Sequence, residues 1–377
     1  MTSIELLPDE LLLDIFELLD VKDRGRCAQT SKRFRKVSQD ETLWQKLNLD
    51  EKEVPSQFLE LAISKGLKYL SFRCAKLSGY QDLPIDNKSV KYLNVSCYNG
   101  WGYKANEEEL TELVSCFSSL EKLSFGFLSM EKPAFINCIL QNRATLKVLD
   151  LTECKDLNLE LIKEIVRNCD RLTEVSFWGN NLCQSAIAFI CDNLTPNIEK
   201  LNFSSSRLCS DNLNDLLHRC HKLTELELDH TMITDEAVTT IIEYLPQSLV
   251  SLVLPDQISF SKVLEVCKKM PKLKNISYIP PVPEDDDYDV DLDNSRLIEL
   301  ENKFPHLKIG KNWGSIAMPG EGSGIWEIKC QKTNQFPVRQ DFAEHVIAMD
   351  KWMDDMAQCD EIDHLLGNTP EAPQNLH

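Results

Sequence analysis

A leucine-based repeat constrains this sequence more than any other feature. The pattern Leu-x-x-Leu-x-(Leu/Phe) recurs at intervals of about 26 residues, and its copies open at Leu67, Val90, Leu120, Leu146, Leu172, Ile198, Leu223, Leu249 and Leu273, with a weaker copy at Leu307. A sustained period of this length indicates a solenoid, in which each repeat contacts mainly its neighbours. The 377 residues therefore indicate a repeat array rather than several compact domains.

Each repeat combines a short strand with a helix. The fourth and sixth positions, such as Leu149 and Leu151, are two residues apart and therefore share one face of a strand. Between the strands, apolar residues spaced three and four apart predict helices over 159–166, 186–191, 213–217 and 237–244. One such unit cannot bury its apolar side alone, so neighbouring units must stack. We predict an α/β fold, a curved array typical of leucine-rich repeats with the strands on its concave face.

Residues between the buried strand positions face the concave side, because side chains alternate across a strand. Trp178 is a candidate binding anchor there, although it can equally cover the strand-to-turn edge. Glu225, Glu227 and Asp229 place three acids along one strand, which favours solvated surface over a site for basic side chains. The other candidate contacts for a substrate or an accessory subunit are Arg207, Asp229 and His230.

The first fifty residues contain a helix with more apolar surface than it can bury. Leu7-Pro8-Asp9-Glu10 opens this helix, with a proline near the first turn and acids at the positive end of the helix dipole. Its continuation over 11–19 is apolar almost all round, whereas a surface helix needs only one apolar stripe. A unit of about 45 residues seldom holds a complete core of its own. The remaining apolar side therefore predicts a partner protein.

The same segment resembles an F-box. The resemblance rests on Leu7-Pro8-Asp9-Glu10-Leu11, Ile15-Phe16, Leu18-Leu19, Cys27-Ala28-Gln29-Thr30-Ser31-Lys32-Arg33-Phe34 and Asp40-Glu41-Thr42-Leu43-Trp44. It departs from the family at Arg24-Gly25, where apolar or helix-forming residues are usual. In that family a three-helix F-box inserts into a small adaptor, which connects it to a cullin and a RING-type ubiquitin ligase. The resemblance implies an adaptor-binding surface at Leu7, Pro8, Leu11, Ile15, Phe16, Leu18 and Trp44.

An F-box followed by leucine-rich repeats resembles the substrate receptors of these ligases. Within the family, segments 40–47, 72–74, 304–309 and 325–330 look most like the S-phase kinase-associated branch. That resemblance implies recognition of phosphorylated cyclin-dependent kinase inhibitors for ubiquitination and proteasomal degradation, assisted by a small accessory subunit of the kinase complex. It also implies a receptor that is not itself an enzyme. The alternative is a non-ligase scaffold that binds the adaptor through its F-box.

We predict three parts in the chain: an F-box over 1–50, an array of about ten repeats over 51–312, and a C-terminal tail over 313–377. An acidic stretch near 283–295 predicts a solvated insertion, with calcium binding by its alternating aspartates as the weaker alternative. The resemblance implies that the tail returns along the concave face, which makes Trp326 a further candidate contact. Apolar spacing predicts an amphipathic helix near 341–357, followed by a disordered end.

Charge and composition exclude several classes of function. A formal charge of -19 disfavours nucleic acids and anionic membranes as partners. No apolar run reaches the ~18 residues of a membrane span, and the chain opens without the basic segment of a signal peptide, so we expect it in nucleus and cytoplasm.

The chemistry of the side chains points away from a catalytic or metal-binding protein. The 14 cysteines include no Cys-x-x-Cys pair, which indicates reduced thiols and leaves a zinc site at His218, Cys220 and His221 as a weak alternative. No phosphate loop, nucleophile elbow or paired metal motif occurs. We therefore expect no catalytic residue, no metal and no cofactor.

Overall fold

A computed structural model describes residues 4–19, 21–78, 87–97, 107–255, 258–278 and 290–310. Its helices are α1 (Asp9–Glu17), α2 (Val21–Thr30), α3 (Lys32–Ser38), α4 (Ser56–Ser64), α5 (Glu107–Ser115), α6 (Pro133–Gln141), α7 (Leu159–Asn168), α8 (Gln184–Asn193), α9 (Ser210–Arg219), α10 (Asp235–Tyr244), α11 (Phe260–Lys269) and α12 (Val290–Lys303). Its strands are β1 (Lys46–Asn48), β2 (Glu53–Pro55), β3 (Tyr69–Ser71), β4 (Lys76–Ser78), β5 (Tyr92–Asn94), β6 (Lys122–Ser124), β7 (Val148–Asp150), β8 (Glu174–Ser176), β9 (Lys200–Asn202), β10 (Glu225–Glu227), β11 (Ser251–Val253), β12 (Asn275–Ser277) and β13 (Lys308–Gly310). Short 3-10 turns lie at Ile4–Leu6 and Glu41–Trp44.

Eleven of the described strands form one parallel sheet, in the order β1-β3-β5-β6-β7-β8-β9-β10-β11-β12-β13. Neighbouring strands pair in register, so that Leu149 lies beside Val175 and Val175 beside Leu201. Parallel neighbours need a crossover between them, and helices provide most of these crossovers. The remaining two strands, β2 and β4, form a small parallel pair of their own. The predicted α/β leucine-rich-repeat fold is confirmed.

The repeat pattern correctly assigns the buried side of the sheet. In the copy that opens at Leu146, the first, fourth and sixth residues (Leu146, Leu149 and Leu151) are fully buried. The helices bury one face against the same core, as α7 does with Ile162 and Ile165. Helices α7 to α10 confirm the four helical segments predicted from apolar spacing, each extended by several residues.

The array begins earlier than the sequence predicts. Strand β1 belongs to a copy that opens at Trp44 and continues with Leu47 and Leu49, and it pairs with β3. The first strand of the solenoid therefore lies inside the segment 1–50 that was predicted to be only F-box. The sequence pattern missed this copy because a tryptophan holds the position that leucine usually occupies.

The last described copy is shifted by one residue from its predicted position. Pairing of β12 with β13 aligns Ile276 with Ile309, so His306 occupies the first position and Leu307 the second. Helix α12 precedes this strand and buries Leu297 and Leu300 in the core. Because α12 begins at Val290, the second half of the predicted acidic insertion near 283–295 is helical rather than a loop.

Most of the described turns that follow the strands of the large sheet share one backbone conformation. The eighth residue of a repeat adopts a left-handed conformation, with φ between 46° and 68°, at Cys74, Phe127, Glu153, Gly179, Ser205 and His230. Its N–H donates to the carbonyl of the seventh residue in the next repeat, as from Glu153 to Trp178 at 2.8 Å and from Ser205 to Asp229 at 2.8 Å. These bonds tie consecutive turns together and fix the direction of the side chains beside them.

Small polar residues at the fifth position stabilise the same turns. The side chains of Asn94, Asp150 and Asn202 accept hydrogen bonds from the backbone N–H two residues further on, at 3.0, 2.9 and 2.8 Å. Asp150 also accepts from Ser124 Oγ at 2.7 Å, and burial raises its pKa. As a residue between two buried strand positions, Asp150 belongs to the side expected to face the open concavity, but it is buried because its carboxylate bonds within the turn.

One hydrophobic core runs from α1 through the array. It includes Leu12 and Phe16 of α1 together with the leucines of every described repeat. Trp44 links the two parts, because its ring lies 6.0 Å from that of Phe58 in α4 and its Nε1 donates to Ser38 O at 3.0 Å. The N-terminal helices and the solenoid therefore pack as one body.

Several predictions fall outside the described residues. They concern the tail over 313–377, its amphipathic helix near 341–357, and Trp326. Among the helices that the structure describes, none combines the length and apolar character of a membrane span.

Candidate functional site

The N-terminal helix presents an apolar stripe to solvent. Leu11, Ile15 and Leu18 share one side of α1, and the exposed fractions of Leu11 and Leu18 are 47% and 67%. Leu12 and Phe16 point the other way and are buried at 0% and 1% exposure. The helix therefore has one satisfied face and one unsatisfied apolar face, as the sequence predicts.

Arginine side chains hold this helix at both ends. Arg33 of α3 donates to the carboxylate of Asp9 at 2.6 and 2.9 Å and to the carbonyl of Leu7. Near the other end, Arg24 Nε donates to Phe16 O at 2.9 Å. These bonds provide hydrogen-bond partners for polar groups at both ends of α1. They also hold the apolar stripe in a fixed position relative to α2 and α3.

Arg24 also explains the unusual dipeptide in the second helix. Its Nη1 donates to the carbonyl of Leu43, just before Trp44, so one guanidinium joins α1 to the turn that enters the array. Helix α2 is continuous from Val21 to Thr30 despite Gly25. The departure from the family pattern at these two residues therefore adds a polar bridge and does not break the helix.

The predicted adaptor residues fall into two groups. Leu11, Leu18 and Pro8 are exposed, and Leu7 and Ile15 are half-buried, so all five contribute to the accessible surface. Phe16 and Trp44 are buried, at 1% and 4% exposure, and can only support that surface from within. The sequence missed two members of the same apolar surface, Ile4 and Leu6, which expose 48% and 76%. Their hydrophobic character directly before Leu7-Pro8 is the signal that could have identified them.

The predicted substrate contacts lie at the ends of strands β8 to β10. We call the side of the sheet that carries the third, fifth and seventh repeat residues the strand face. Trp178 is half-buried, and Arg207 and His230 are exposed. Asp229 departs from the expectation of an open contact, because it is only 3% exposed. Neighbouring turns pack over this residue. The repeat pattern predicts which face of the sheet a side chain lies on, but not how tightly the neighbouring turns pack against it.

Acids dominate the strand face at β8 to β10. Lys200 pairs with Glu225 at 3.2 Å, and Asn202 donates to Glu227 at 2.6 Å. Burial, followed by the charges of Asp229 and Glu225, raises the pKa of Glu227 to about 7. Burial also raises the pKa of Glu174, against the influence of Lys200. This surface therefore holds more negative charge than its own cations neutralise.

One buried hydroxyl lies in the same region. Register places Ser204 on the strand face between Trp178 and Asp229. Among the described residues, its buried Oγ has no hydrogen-bond partner. Such an orphaned group is uncommon in folded proteins and indicates a place where a ligand can supply the missing bond.

The described residues bring together no set of three His, Cys, Asp or Glu side chains that could hold a metal ion. A cavity of about 810 Å³ lies beside the turns after β7 and β8, with Glu153, Asp156 and Asn180 in its wall. Its described lining contains no histidine, and burial raises the pKa of its one thiol, Cys154, well above the ordinary value.

Comparison with known proteins finds a family match in the N-terminal segment and relatives that align with longer parts of the chain. Residues 4–50 match the family model described as F-box-like. The chain is 26% identical over 196 residues to F-box/LRR-repeat protein 5 from Danio rerio, covering 50% of this chain and 26% of that protein. It is 20% identical over 285 residues to F-box/LRR-repeat protein 21 from Mus musculus, covering 72% of this chain and 58% of that one. The chain thus spans less than two thirds of the length of these relatives.

One solved structure aligns with much of this chain. The crystal structure of the Rad7 and Elc1 complex in yeast aligns with 72% of this chain and 68% of its own, at 18% identity and a TM-score of 0.47. The F-box-like match and the relatives named F-box/LRR-repeat proteins confirm the broad resemblance seen in the sequence. The narrower resemblance to the S-phase kinase-associated branch stays a prediction.

Proposed function

We propose that this chain, which has an F-box-like segment before an array of leucine-rich repeats, acts as the substrate-recognition subunit of a cullin-RING ubiquitin ligase. The observation that carries the proposal is the stripe of Leu11, Ile15 and Leu18, left open on a helix whose opposite face is in the core. An apolar surface of this kind marks a protein-interaction site. The F-box-binding adaptor covers it and connects the chain to the cullin and RING subunits.

The proposed role depends on positioning rather than on chemistry by this chain. A substrate held on the strand face brings its lysines near a ubiquitin thioester that another subunit carries, and such proximity can lower a reaction barrier substantially. A shared core supports this role, because Trp44 and Phe58 join the adaptor-binding helices to the first repeat. A rigid joint keeps the substrate at a constant distance from the adaptor.

We further propose that the substrates are phosphorylated cell-cycle regulators, such as cyclin-dependent kinase inhibitors, and that the protein works in nucleus and cytoplasm. Resemblance in segments 72–74 and 304–309 supports this choice. The acids at β8 to β10 repel a phosphate, which needs arginine or lysine to receive it. In this proposal a small accessory subunit of the kinase complex supplies those cations beside the acidic part of the strand face.

Reconstitution tests the proposal even while the substrate is unidentified. The full chain is mixed with the adaptor, cullin, RING subunit and ubiquitin-charging enzymes, and ubiquitin conjugated to the chain itself is measured. We expect conjugation with the unmodified chain and with Ile298→Asp, a control at a residue that is 55% exposed elsewhere on the array. Leu18→Asp should abolish both adaptor binding and conjugation. Point variants are preferable to removing residues 1–50, because that deletion also removes β1.

Two outcomes would count against the proposal in different ways. Adaptor binding without any conjugation would favour the non-ligase scaffold, since the F-box surface would then serve another assembly. Equal adaptor binding by Leu18→Asp and by the unmodified chain would remove the stripe from the interface altogether.

A further inference from the structure

A row of four side chains crosses the strand face near its N-terminal end. Lys46, Tyr69, Tyr92 and Lys122 hold the third position of their repeats, and strand pairing places them side by side. The two phenol rings stack with centroids 4.2 Å apart and planes 7° apart. Lys46 Nζ lies 5.6 Å from the Tyr69 centroid, and Lys122 Nζ lies 5.4 Å from the Tyr92 centroid. The row therefore presents two ammonium groups with two phenols between them.

The lysines of this row retain hydrogen-bonding capacity. Within the described ranges, neither Lys46 nor Lys122 pairs with a carboxylate. An ammonium group has three donors, and a contact with a ring face satisfies none of them as an anion would. The lysines that precede Tyr69 and Tyr92 in the sequence bond neutral oxygens within the described part of the chain, Lys68 to Gln45 at 3.4 Å and Lys91 to Ser119 at 3.3 Å.

Two nearby acids are already engaged, whereas Glu174 of β8 attracts Lys122 electrostatically. Asp50 pairs with Arg73 at 2.8 Å, and Glu121 pairs with Lys147 at 2.9 Å. Positive charge therefore prevails at strands β1 to β6, in a chain whose overall charge is -19. A local excess of this sign against the overall balance indicates an electrostatic complement for a negative group.

The phenols are suited to the same group. Burial, followed by the influence of Tyr69, which includes a hydrogen bond between the two phenols, raises the pKa of Tyr92 to about 12. That bond uses one phenol proton and leaves the other for a ligand. Phosphate and carboxylate oxygens accept hydrogen bonds both from ammonium groups and from phenol hydroxyls. The row thus offers donors of two kinds on one accessible strip.

The opposite charge prevails further along the strand face. At β8 to β10 the acids Glu174, Glu225 and Glu227 outnumber their single lysine, Lys200. The orphaned Ser204 Oγ lies beside them. The strand face therefore carries one positive end and one negative end, an arrangement that selects both the direction and the length of a bound segment.

We infer that the strand face binds an extended segment of a protein substrate, with an anionic group on the row from Lys46 to Lys122 and a basic residue at β8 to β10. The inference rests on the proposed function only in taking that segment to belong to the substrate. Strand β5 lies five strands before β10 in the sheet, which corresponds to roughly 24 Å at ~4.8 Å per strand. An extended chain advances ~3.3 Å per residue, so the two charges lie about seven residues apart.

Peptide binding to the full chain tests this spacing. The probes are fluorescein-labelled peptides of about fourteen Gly, Ser and Ala residues, with one phosphoserine and one arginine set about seven residues apart. Matched peptides have serine in place of phosphoserine, or carry the two charges about two residues apart. Fluorescence polarisation gives each Kd at low salt and again at higher salt, where exposed charge pairs weaken.

We expect the spaced phosphopeptide to bind roughly five- to thirty-fold more tightly than either matched peptide. The double variant Lys46→Gln with Lys122→Gln should lose that advantage. Lys163→Gln with Lys269→Gln, which removes two lysines from helices α7 and α11, should keep it. Both double variants should still bind the adaptor, because the row is separate from the stripe on α1.

Several results would overturn the inference. One is equal affinity for the spaced and the closely charged peptides; another is equal loss in both double variants. A third is stronger competition by single-stranded DNA of matched length than by unlabelled peptide, which would make the row a nucleic-acid contact. Failure of the adaptor to bind the unmodified chain would overturn the proposed function, while leaving a positive peptide result in support of this surface.

Discussion

Helix α1 offers a direct comparison between an interface leucine and a core leucine. Leu11 and Leu18 expose 47% and 67% of their side chains, whereas Leu12 is fully buried. We predict that Leu11→Ala with Leu18→Ala weakens adaptor binding and leaves folding stability nearly unchanged. We predict that Leu12→Ala mainly lowers folding stability and affects adaptor binding less, because its side chain fills the core beneath the same helix.

The magnitudes follow from the surface involved. Leu11 and Leu18 together leave about one whole leucine side chain in water, and burying that much contributes ~1.5–3 kcal/mol. Loss of this burial from the complex raises the Kd for the adaptor ~10- to 150-fold. The double variant should change the free energy of unfolding by less than ~1 kcal/mol, since its side chains have few buried contacts. Leu12→Ala leaves a cavity and should cost ~2–5 kcal/mol.

Isothermal titration calorimetry with the purified adaptor measures the Kd, and urea denaturation of the free chain measures stability. Met232→Ala with Ile298→Ala is the control, because these residues expose a similar 61% and 55% outside α1. An unchanged Kd for the Leu11 and Leu18 variant would refute the assignment of the stripe to the adaptor. An equal loss in the control would show that apolar surface in general, and not this stripe, determines binding.

Three further predictions concern stability. Because the pKa of Glu227 is raised from 4.5 to about 7, the folded protein holds this proton more tightly than the unfolded chain, and the free energy of unfolding falls as pH rises from ~5 to ~7.5. Urea titrations at several pH values should show a smaller fall in Glu227→Gln, by at most ~3 kcal/mol. An identical fall in both proteins would contradict the raised pKa. Arg24→Met loses bonds to three backbone carbonyls and should lower stability by ~1.5–3 kcal/mol in thermal melts, whereas Arg26→Met, at an exposed ion pair, should have little effect. Gly179→Ala should lower the free energy of unfolding by ~1–2 kcal/mol in urea denaturation, because φ is +68° and a Cβ would lie 2.5 Å from Glu153 Cγ. Adding Glu153→Ala should recover part of that loss. No recovery would exclude the contact with Glu153 as a cause.

The repeat period and the alternation within it were readable from the sequence. Copies such as Leu146, Leu149 and Leu151 are apolar at fixed spacing because the core accepts nothing else there, so spacing alone assigned the strands and their buried side. The exposed stripe on α1 was predictable for a related reason. A helix that is apolar almost all round cannot bury every side in a small unit, and the resemblance to an F-box named the kind of partner that covers the rest.

The sequence by itself could not show which residues of a predicted surface are buried beneath it and which are exposed. It also could not show which polar side chains contact one another. Asp150 and Asp229 look like open acids in the repeat pattern, yet tightly bonded turns bury both. Lys46, Tyr69, Tyr92 and Lys122 are far apart in the chain, and only parallel strand pairing aligns them into one row. Local periodicity determined which side chains must leave water. The stacking of repeats decided which of the others come together, because those distances depend on contacts between residues that the sequence separates by a full repeat.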